Sequence, residues 1–421
     1  MAQTPQSPKG TRDFYPEDQA IQNHIFDHWK SACLRFGYEE YEAPMFEHLE
    51  LYTGKSGDEI VSQLYNFTDK GDRNIALRPE MTPSLARLVI QKGSALRKPF
   101  KWFSMPRLFR YERAQKGRLR EFFQLNMDIL GTESLNAEVD LLLAICHLLE
   151  SFGLKEGDFE IGVNNRRLLQ AILDQRQIQD AMPVYQAFDK RAKVKPEEFA
   201  KLLADAGLKQ DDIEFLSQFM NSSSLAEIKT FCQSPEALSS LEELEFVLTS
   251  LENLGYKNTV RLDLNIVRGL AYYTGIVFEV FDASKSMRAV AGGGRYDNLC
   301  ATLGGQSVTG VGFGMGDVVL KDLLTEKGLI PTQFPSALDY YIVSFDDNFA
   351  KMFALANTLR QKGFKVSHNL VIQKFNKQLE NANKSGAKNV IFLGSDKVSV
   401  TQIEVKNLLS GEQSIIELDS L

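Results

Sequence analysis

FRYERAQKGRLREFFQLNMDILG, Phe109 to Gly131, reads as strand, cationic loop, strand. In FRYER, the rings of Phe109 and Tyr111 alternate with Arg110 and Glu112, the period of two expected of a strand. A basic loop containing Gly117 follows (Lys116, Arg118, Arg120), and then an apolar run from Phe122 to Leu130. A hairpin of this kind can hold a polyanion against a sheet floor. Around it, the window Arg97 to Arg120 carries nine basic residues against one acid, Glu112, in a chain of net charge −7. Two readings accommodate that local positive field. One is a solvated basic edge that deters aggregation; the other is an anion-binding surface. Glu112 inside the run, with Gln124 and Asp128 on the return strand, favours the second. Gln124 and Asp128 are four residues apart, an even spacing that puts both on one face. A face bearing Arg110, Glu112, Gln124 and Asp128 is costly to bury unless a ligand pairs those groups.

The length of 421 residues admits about two to four domains, and 43% hydrophobic with 24% charged residues is ordinary for a soluble globular protein. The N-terminal MAQTPQSPKGTRDFYPED has no apolar segment of the kind a signal peptide needs. The run Leu141 to Leu149 is about half the roughly 18 apolar residues of a membrane span, so no membrane association is expected. Cys33, Cys146, Cys232 and Cys300 are scattered and form no CxxC pair. That distribution argues against protein-held metal and disulfides and fits a reducing cytoplasm. The acidic balance excludes a general nucleic-acid coat but not a local RNA-binding face.

Residues 17 to 36 show apolar positions at helical spacing and stop at Gly37; YEEYEAPMFE, Tyr38 to Glu47, alternates as a strand and reaches Pro44. NIALRPEMT, Asn74 to Thr82, reads as a short strand whose Pro79 holds Glu80 at a fixed strand end. It serves equally as a strand-to-helix turn with Thr82 as N-cap and Pro83 in the first turn. Helix is expected from about 135 to 152, and strand, Asn turn, helix from Asp158 to Leu173. From 176 to about 256 the composition turns to helix formers and polar turns. Its basic patch (Lys190, Arg191, Lys193, Lys195) is compatible with RNA contact, although a solvated helix end is the default. VRLDLNIVRGLAYYTGIVFEVF, Val260 to Phe281, places Arg268 beside a glycine between a strand to Val267 and a strand to Phe281. By pattern alone Arg268 either pairs with Asp263 or Glu279 or is aimed at a ligand. AGGGRYDNL, Ala291 to Leu299, reads as a glycine turn. After the linker GLIPTQFP, residues 335 to 421 alternate β and α segments, as a small mixed-sheet domain would.

FRYER, its basic loop and QLNMDILG together resemble motif 2 of the class II aminoacyl-tRNA synthetases, specifically the histidyl-tRNA synthetase family. The resemblance implies that Arg110 holds the ATP α-phosphate and the amino-acid carboxylate and that Glu112 reads the adenine amino group. Gln124 and Asp128 would take the substrate amine and imidazole; Asp128 stands where many bacterial members carry the longer Glu. KGTRDF, Lys9 to Phe14, is a distinctive phrase of the same family, and the helix, strand and proline of 17 to 47 resemble motif 1, the dimer-forming element. By the same resemblance Glu80, Met81 and Thr82 contact the histidine α-amino group. RGLAYYTG, Arg268 to Gly275, is similar to the family phrase RGLxYYTG. It matches Arg268 to the arginine that stabilises α-phosphate charge, and Tyr272 and Tyr273 to the histidine pocket. GGRYD at 293 to 297 resembles a second signature. GVGFGMG, Gly310 to Gly316, matches the first half of motif 3, where glycines such as Gly314 and Gly316 enclose adenine. The second half departs: the usual Leu-Glu-Arg is Asp317, Val318 and Val319 here, and valine cannot supply the arginine's charge. A branch with Gly-Asp at this point, plant-type members included, keeps the departure from being read as inactivation. Arg118 and Arg120 are candidates to share the ATP-tail contacts.

The expected fold is therefore α+β. A class II antiparallel sheet flanked by helices is divided between residues 1–175 and 258–330 around a helical insertion, 176–257, and an α/β anticodon-binding domain follows at 335–421. The implied activity is formation of histidyl-adenylate from histidine and ATP with Mg²⁺ on the phosphates, then transfer to the 3′ end of tRNA(His), by a cytoplasmic homodimer. Two other readings compete: the synthetase-like regulatory subunit of ATP phosphoribosyltransferase, which binds histidine as a signal, and a degenerate RNA-binding or amino-acid-sensing module. The missing motif 3 arginine is the feature that favours either one.

Overall fold

The computed structural model describes residues 4–53, 61–113, 115–191, 194–267, 272–332, 334, 338–345, 348–395 and 402–418, with the backbone alone at Ser94 and Asp189. The chain forms two compact units, 1–330 and 331–421. Among the described residues no helix is long and apolar enough to cross a membrane.

The first unit is built on a nine-stranded sheet. Its inner six strands, all antiparallel to their neighbours, run in the order Phe100–Ser104, Glu121–Leu130, Gly310–Gly316, Ala291–Arg295, Ile276–Asp282 and Phe159–Asn165. Parallel strands flank them at each end, Glu39–Glu40 beside Phe100–Ser104 and Val260–Leu262 beside Phe159–Asn165, so the expected antiparallel sheet is mixed at its margins. Arg107–Phe109 pairs with the start of the long Glu121–Leu130 strand.

Alternation along these central strands sorts the two faces. Leu125, Met127 and Ile129 enter the apolar core, as do Val311, Phe313 and Met315 of the neighbouring strand. The core is closed by the helices Pro16–Arg35 and Asn136–Ser151, through Ile25, Trp29, Leu141 and Ile145 among others. The opposite face carries Gln124, Asn126 and Asp128 next to Gly312, Gly314 and Gly316. Between 181 and 253 five helices (Ala181–Arg191, Pro196–Asp205, Gln210–Met220, Leu225–Lys229, Pro235–Asn253) contribute Phe188, Leu203, Leu216 and Leu244 to the same continuous core. Arg191 of the basic patch is engaged: its guanidinium donates to Asn265 and, at 2.5 Å, to Asn221 Oδ1.

Several local readings are corrected. The FRYER strand ends at Phe109, because the Tyr111 N–H turns away to the Gln63 carbonyl at 2.7 Å and the Glu112 N–H to its neighbour Arg110 at 2.8 Å. The strand expected over 38–47 survives only as Glu39–Glu40 and Phe46–His48. Between them Arg78 takes the Ala43 carbonyl at 2.8 Å, and Pro44 has no N–H to offer a ladder. The cap of the Thr82–Lys92 helix is Met81, one residue earlier than expected, and makes no side-chain cap bond. The strand expected to reach Val267 stops at Leu262. AGGGRYDNL is not a turn: Ala291–Arg295 is a buried strand whose glycines allow close packing. A Cβ on Gly293 would lie 2.1 Å from the Gly312 carbonyl oxygen.

Arg295, next to those glycines, crosses into the helical layer. Its Nε and Nη2 donate to the two carboxylate oxygens of Glu138 at 2.5 and 2.7 Å, and Nη1 reaches the Thr132 carbonyl at 3.1 Å. Arg295 is 2% exposed and Glu138 fully buried, so this bidentate pair ties the sheet to the Asn136–Ser151 helix.

The second unit is a five-stranded sheet in the order Val366–His368, Tyr340–Ser344, Asn389–Leu393, Gln402–Asn407, Gln413–Glu417. Its first three strands are parallel and the last two join antiparallel. Helices Phe349–Gln361 and Phe375–Lys384 make the crossovers, and apolar clusters around Ile342 and around Val343 cover the two faces.

The buried pair generates a stability prediction. Arg295→Ala strands the buried Glu138 charge, and Glu138→Ala leaves the buried Arg295 only the partly exposed Asp297, 3.2 Å from its Nη1. Each should cost about 3–5 kcal/mol, whereas the joint replacement Arg295→Met with Glu138→Leu should cost much less. Urea unfolding of the three variants distinguishes this from a pair of negligible worth, for which the single variants would differ little from the parent.

Candidate active site

The polar face of the central strands opens into a cleft of about 350 Å³, within the range of small-molecule sites. Its floor is bare because glycine occupies alternate positions of Gly310–Gly316 on that face. A Cβ on Gly312 would fall 1.9 Å from Asp128 Oδ1, and one on Gly314 would fall 2.6 Å from Gln124 Nε2. The two polar side chains thus lie across the space a side chain would fill.

Asp128 is 2% exposed. Its Oδ1 accepts the Tyr296 hydroxyl at 2.5 Å, while its Oδ2 has no hydrogen-bond partner among the described residues. Burial pushes its carboxyl up from the ordinary 3.8 to about 7, and the Tyr296 bond opposes that rise only in part. A buried acceptor left open beside a cleft is a place where a ligand N–H gains a full hydrogen bond.

Glu80, 4% exposed, accepts the Tyr272 hydroxyl at 2.9 Å. Burial and the Glu80 charge hold the Tyr272 phenol far above its usual range, so it remains a donor. Arg78 fixes the corner from which Glu80 projects: it donates to Ala43 O at 2.8 Å, Glu42 at 2.6 Å and Arg107 O at 3.0 Å. Arg110 braces the same corner through Nε to Pro79 O at 2.8 Å. Glu112, at the nucleotide end by expectation, pairs with Arg118, whose Nη2 donates to Oε1 at 2.8 Å.

Of the expected residues, Glu80, Thr82, Arg110, Glu112, Arg118, Gln124, Asp128, Tyr272, Tyr273, Gly314 and Gly316 all line this one cleft. Met81 does not: it is fully buried beneath the corner, with its sulfur 3.9 Å from Arg78 Nη1. Arg120 does not either. It donates to Glu112 O at 3.0 Å and lies over the Tyr111 ring, 4.2 Å from its centroid. Arg268 falls outside the described residues.

Two cleft residues, and the structural role of one residue outside the cleft, escaped the sequence reading. Tyr296, inside GGRYD, holds Asp128. Arg288 lines the cleft close to Val319. Asp317, the motif 3 departure, is fully buried and pinned by Arg12 of KGTRDF at 2.7 Å and by the Phe123 N–H at 3.0 Å. Burial still raises its carboxyl above the ordinary range, with Arg12 opposing.

The sequence profile described as histidyl-tRNA synthetase matches residues 10–317. The chain belongs to the histidyl-tRNA synthetase family. A second profile, the anticodon binding domain, matches residues 339–421. Among similar proteins, the histidine--tRNA ligase of Opitutus terrae is 42% identical over 96% of this chain and 94% of that protein. The chloroplastic/mitochondrial histidine--tRNA ligase of Arabidopsis thaliana is 38% identical over 98% of this chain and 85% of that protein. The crystal structure of histidyl-tRNA synthetase from Nostoc sp. PCC 7120 superposes with a TM-score of 0.83, at 25% identity, covering 100% of this chain and 98% of that one.

Asp128 carries a pH prediction. Between its ordinary value of 3.8 and about 7 the folded chain keeps a proton that the unfolded chain has released. On this group's account, stability therefore falls as pH rises through that window. Asp128→Asn removes the slope, so urea unfolding at a pH of about 5 and again above about 7 should show the variant gaining on the parent as pH rises. A difference between the two proteins that does not change with pH would contradict the assignment.

Proposed function

We infer that this chain is a histidine-tRNA ligase, activating histidine with ATP and transferring it to tRNA. The observation that carries the reading is one cleft holding two carboxylates suited to histidine, Glu80 for the amine and Asp128 for the imidazole, together with Arg110 and Arg118. The near-full-length relatives and the anticodon-binding profile over 339–421 support the tRNA half of the reaction.

In the proposed mechanism Glu80, Gln124, Asp128, Tyr272 and Tyr273 fix the amino acid. Thr82 lies beside them, and Arg110 draws the histidine carboxylate toward the ATP α-phosphorus. A carboxylate oxygen forms the new P–O bond, and the bond to the departing pyrophosphate breaks. The terminal ribose hydroxyl of tRNA then attacks the acyl carbon and AMP leaves. No protein nucleophile is needed, so positioning and charge stabilisation supply the rate. Glu112 is assigned to the adenine amino group, beside the bare strand at Gly314 and Gly316. Arg268 is assigned by resemblance as the second cation at the α-phosphate.

Among the described residues no cluster of three or more acidic, histidine or cysteine side chains is arranged to hold a metal. Mg²⁺ fits here as an ion carried mainly by phosphate and water, the usual mode for nucleotide enzymes, and when bound it neutralises phosphate charge. Segment 176–257 is read as an insertion between the two parts of the catalytic domain, 1–175 and 258–330, with 335–421 binding the anticodon. A homodimer is proposed on the motif 1 resemblance of residues 17–47, and a cytoplasmic setting on four buried free cysteines. The Asp317–Val319 departure favours one rival, a histidine-sensing regulator that forms no adenylate.

ATP–pyrophosphate exchange separates the two. The purified protein should exchange with histidine and with no other amino acid, and Arg110→Ala should lower kcat by roughly a hundredfold or more. Histidine binding without exchange would support the regulator instead.

A further inference from the structure

Three arginines among the described residues line the cleft: Arg110, Arg118 and Arg288. Two are already engaged, Arg110 with the Pro79 carbonyl and Arg118 with Glu112. Arg288 is exposed, and no hydrogen bond or ion pair joins it to another described residue. A cation without a partner, at the rim of a cleft that already holds engaged charges, is free to meet an anionic ligand.

Its position is set by the sheet. The strand Ala291–Arg295 pairs with Gly310–Gly316 so that Ala291 faces Met315. The ladder runs one bond further, with the Gly316 N–H donating to the Val290 carbonyl at 3.3 Å. Arg288 lies two residues beyond that bond on one strand, and Val318 two residues beyond it on the other. Both Arg288 and Val319 close on the turn of the basic loop. A Cβ built on Gly117 would sit 3.4 Å from Val319 Cγ2 and 3.7 Å from Arg288 Cδ. Gly117 itself is at φ +71, a conformation glycine adopts without strain, so the turn presents only backbone there.

We propose that Arg288 binds the polyphosphate of ATP, supplying from the rim of the cleft a positive charge that the valine at position 319 cannot. The inference rests on the adenylation reading above and deepens it by naming a nucleotide contact. The Arg288 side chain projects from the segment leading into the GGRYD strand, whereas Val319 belongs to the helix Asp317–Glu326. An exposed guanidinium at a rim can follow the phosphates as they enter and leave, which a buried one cannot.

Direct titration of the full-length protein with ATP and with adenosine, alongside pyrophosphate exchange, tests the assignment. Arg288→Ala should weaken ATP binding and raise KM for ATP by roughly tenfold or more, the scale of one lost charge-assisted hydrogen bond. Adenosine binding and KM for histidine should stay unchanged, and Arg288→Glu should be worse than Arg288→Ala. ATP binding unchanged in Arg288→Ala would overturn the proposal, as would an equal loss for adenosine, which would place the side chain on the base. Because binding is read apart from exchange, a parent protein that binds ATP but does not exchange would sink the ligase reading while still deciding the role of Arg288.

Discussion

The site depends on the absence of side chains along one face of Gly310–Gly316. In a strand buried on both sides, that face would ordinarily be filled by β-branched or aromatic residues. Here Val311, Phe313 and Met315 fill the core side, while Gly312 and Gly314 leave the other side to Asp128 and Gln124 of the neighbouring strand. The result is a polar floor resting directly on backbone, close enough that one methyl group at Gly312 would collide with the Asp128 carboxylate. The same glycines that weaken the strand make room for a ligand.

Charged groups in this unit divide by what they hold. Arg295 with Glu138, the buried Arg78 with the Ala43 carbonyl and the exposed Glu42, and Arg12 with the buried Asp317 lock elements together. Around the cleft the pattern differs: Asp128 keeps an open oxygen, and Arg288 has no partner among the described residues. The Arg12–Asp317 pair also bears on the departure at the end of the glycine strand. Asp317 is a buried anchor for the N-terminal segment, so the residues after Gly316 are built into the fold rather than decayed.

Much of this was legible in the sequence where the signal was periodic. The even spacing of Gln124 and Asp128 suffices to put them on one face, and the helix over 17–36 and the β-α alternation after 335 follow from apolar spacing and glycine stops. The misses share a cause: they depend on partners remote in the chain. FRYER alternates like a strand, but its ladder ends at Phe109 because Gln63 captures the Tyr111 N–H. Three glycines in AGGGRYD suggest a turn, yet they serve close strand packing against Gly312 and Phe278. Met81 and Arg120 neighbour true cleft residues in sequence, but one points into the core and the other stacks on Tyr111. Arg12 and Asp317 are 305 residues apart, and no local pattern joins them.

The most direct test of the account is a crystal structure of the protein with a non-hydrolysable histidyl-adenylate analogue. The account predicts the imidazole within hydrogen-bond distance of Asp128, the amine at Glu80, and the linking group beside Arg110 above Gly312 and Gly314. An analogue bound with its imidazole away from Asp128, or seated outside this cleft, would contradict it.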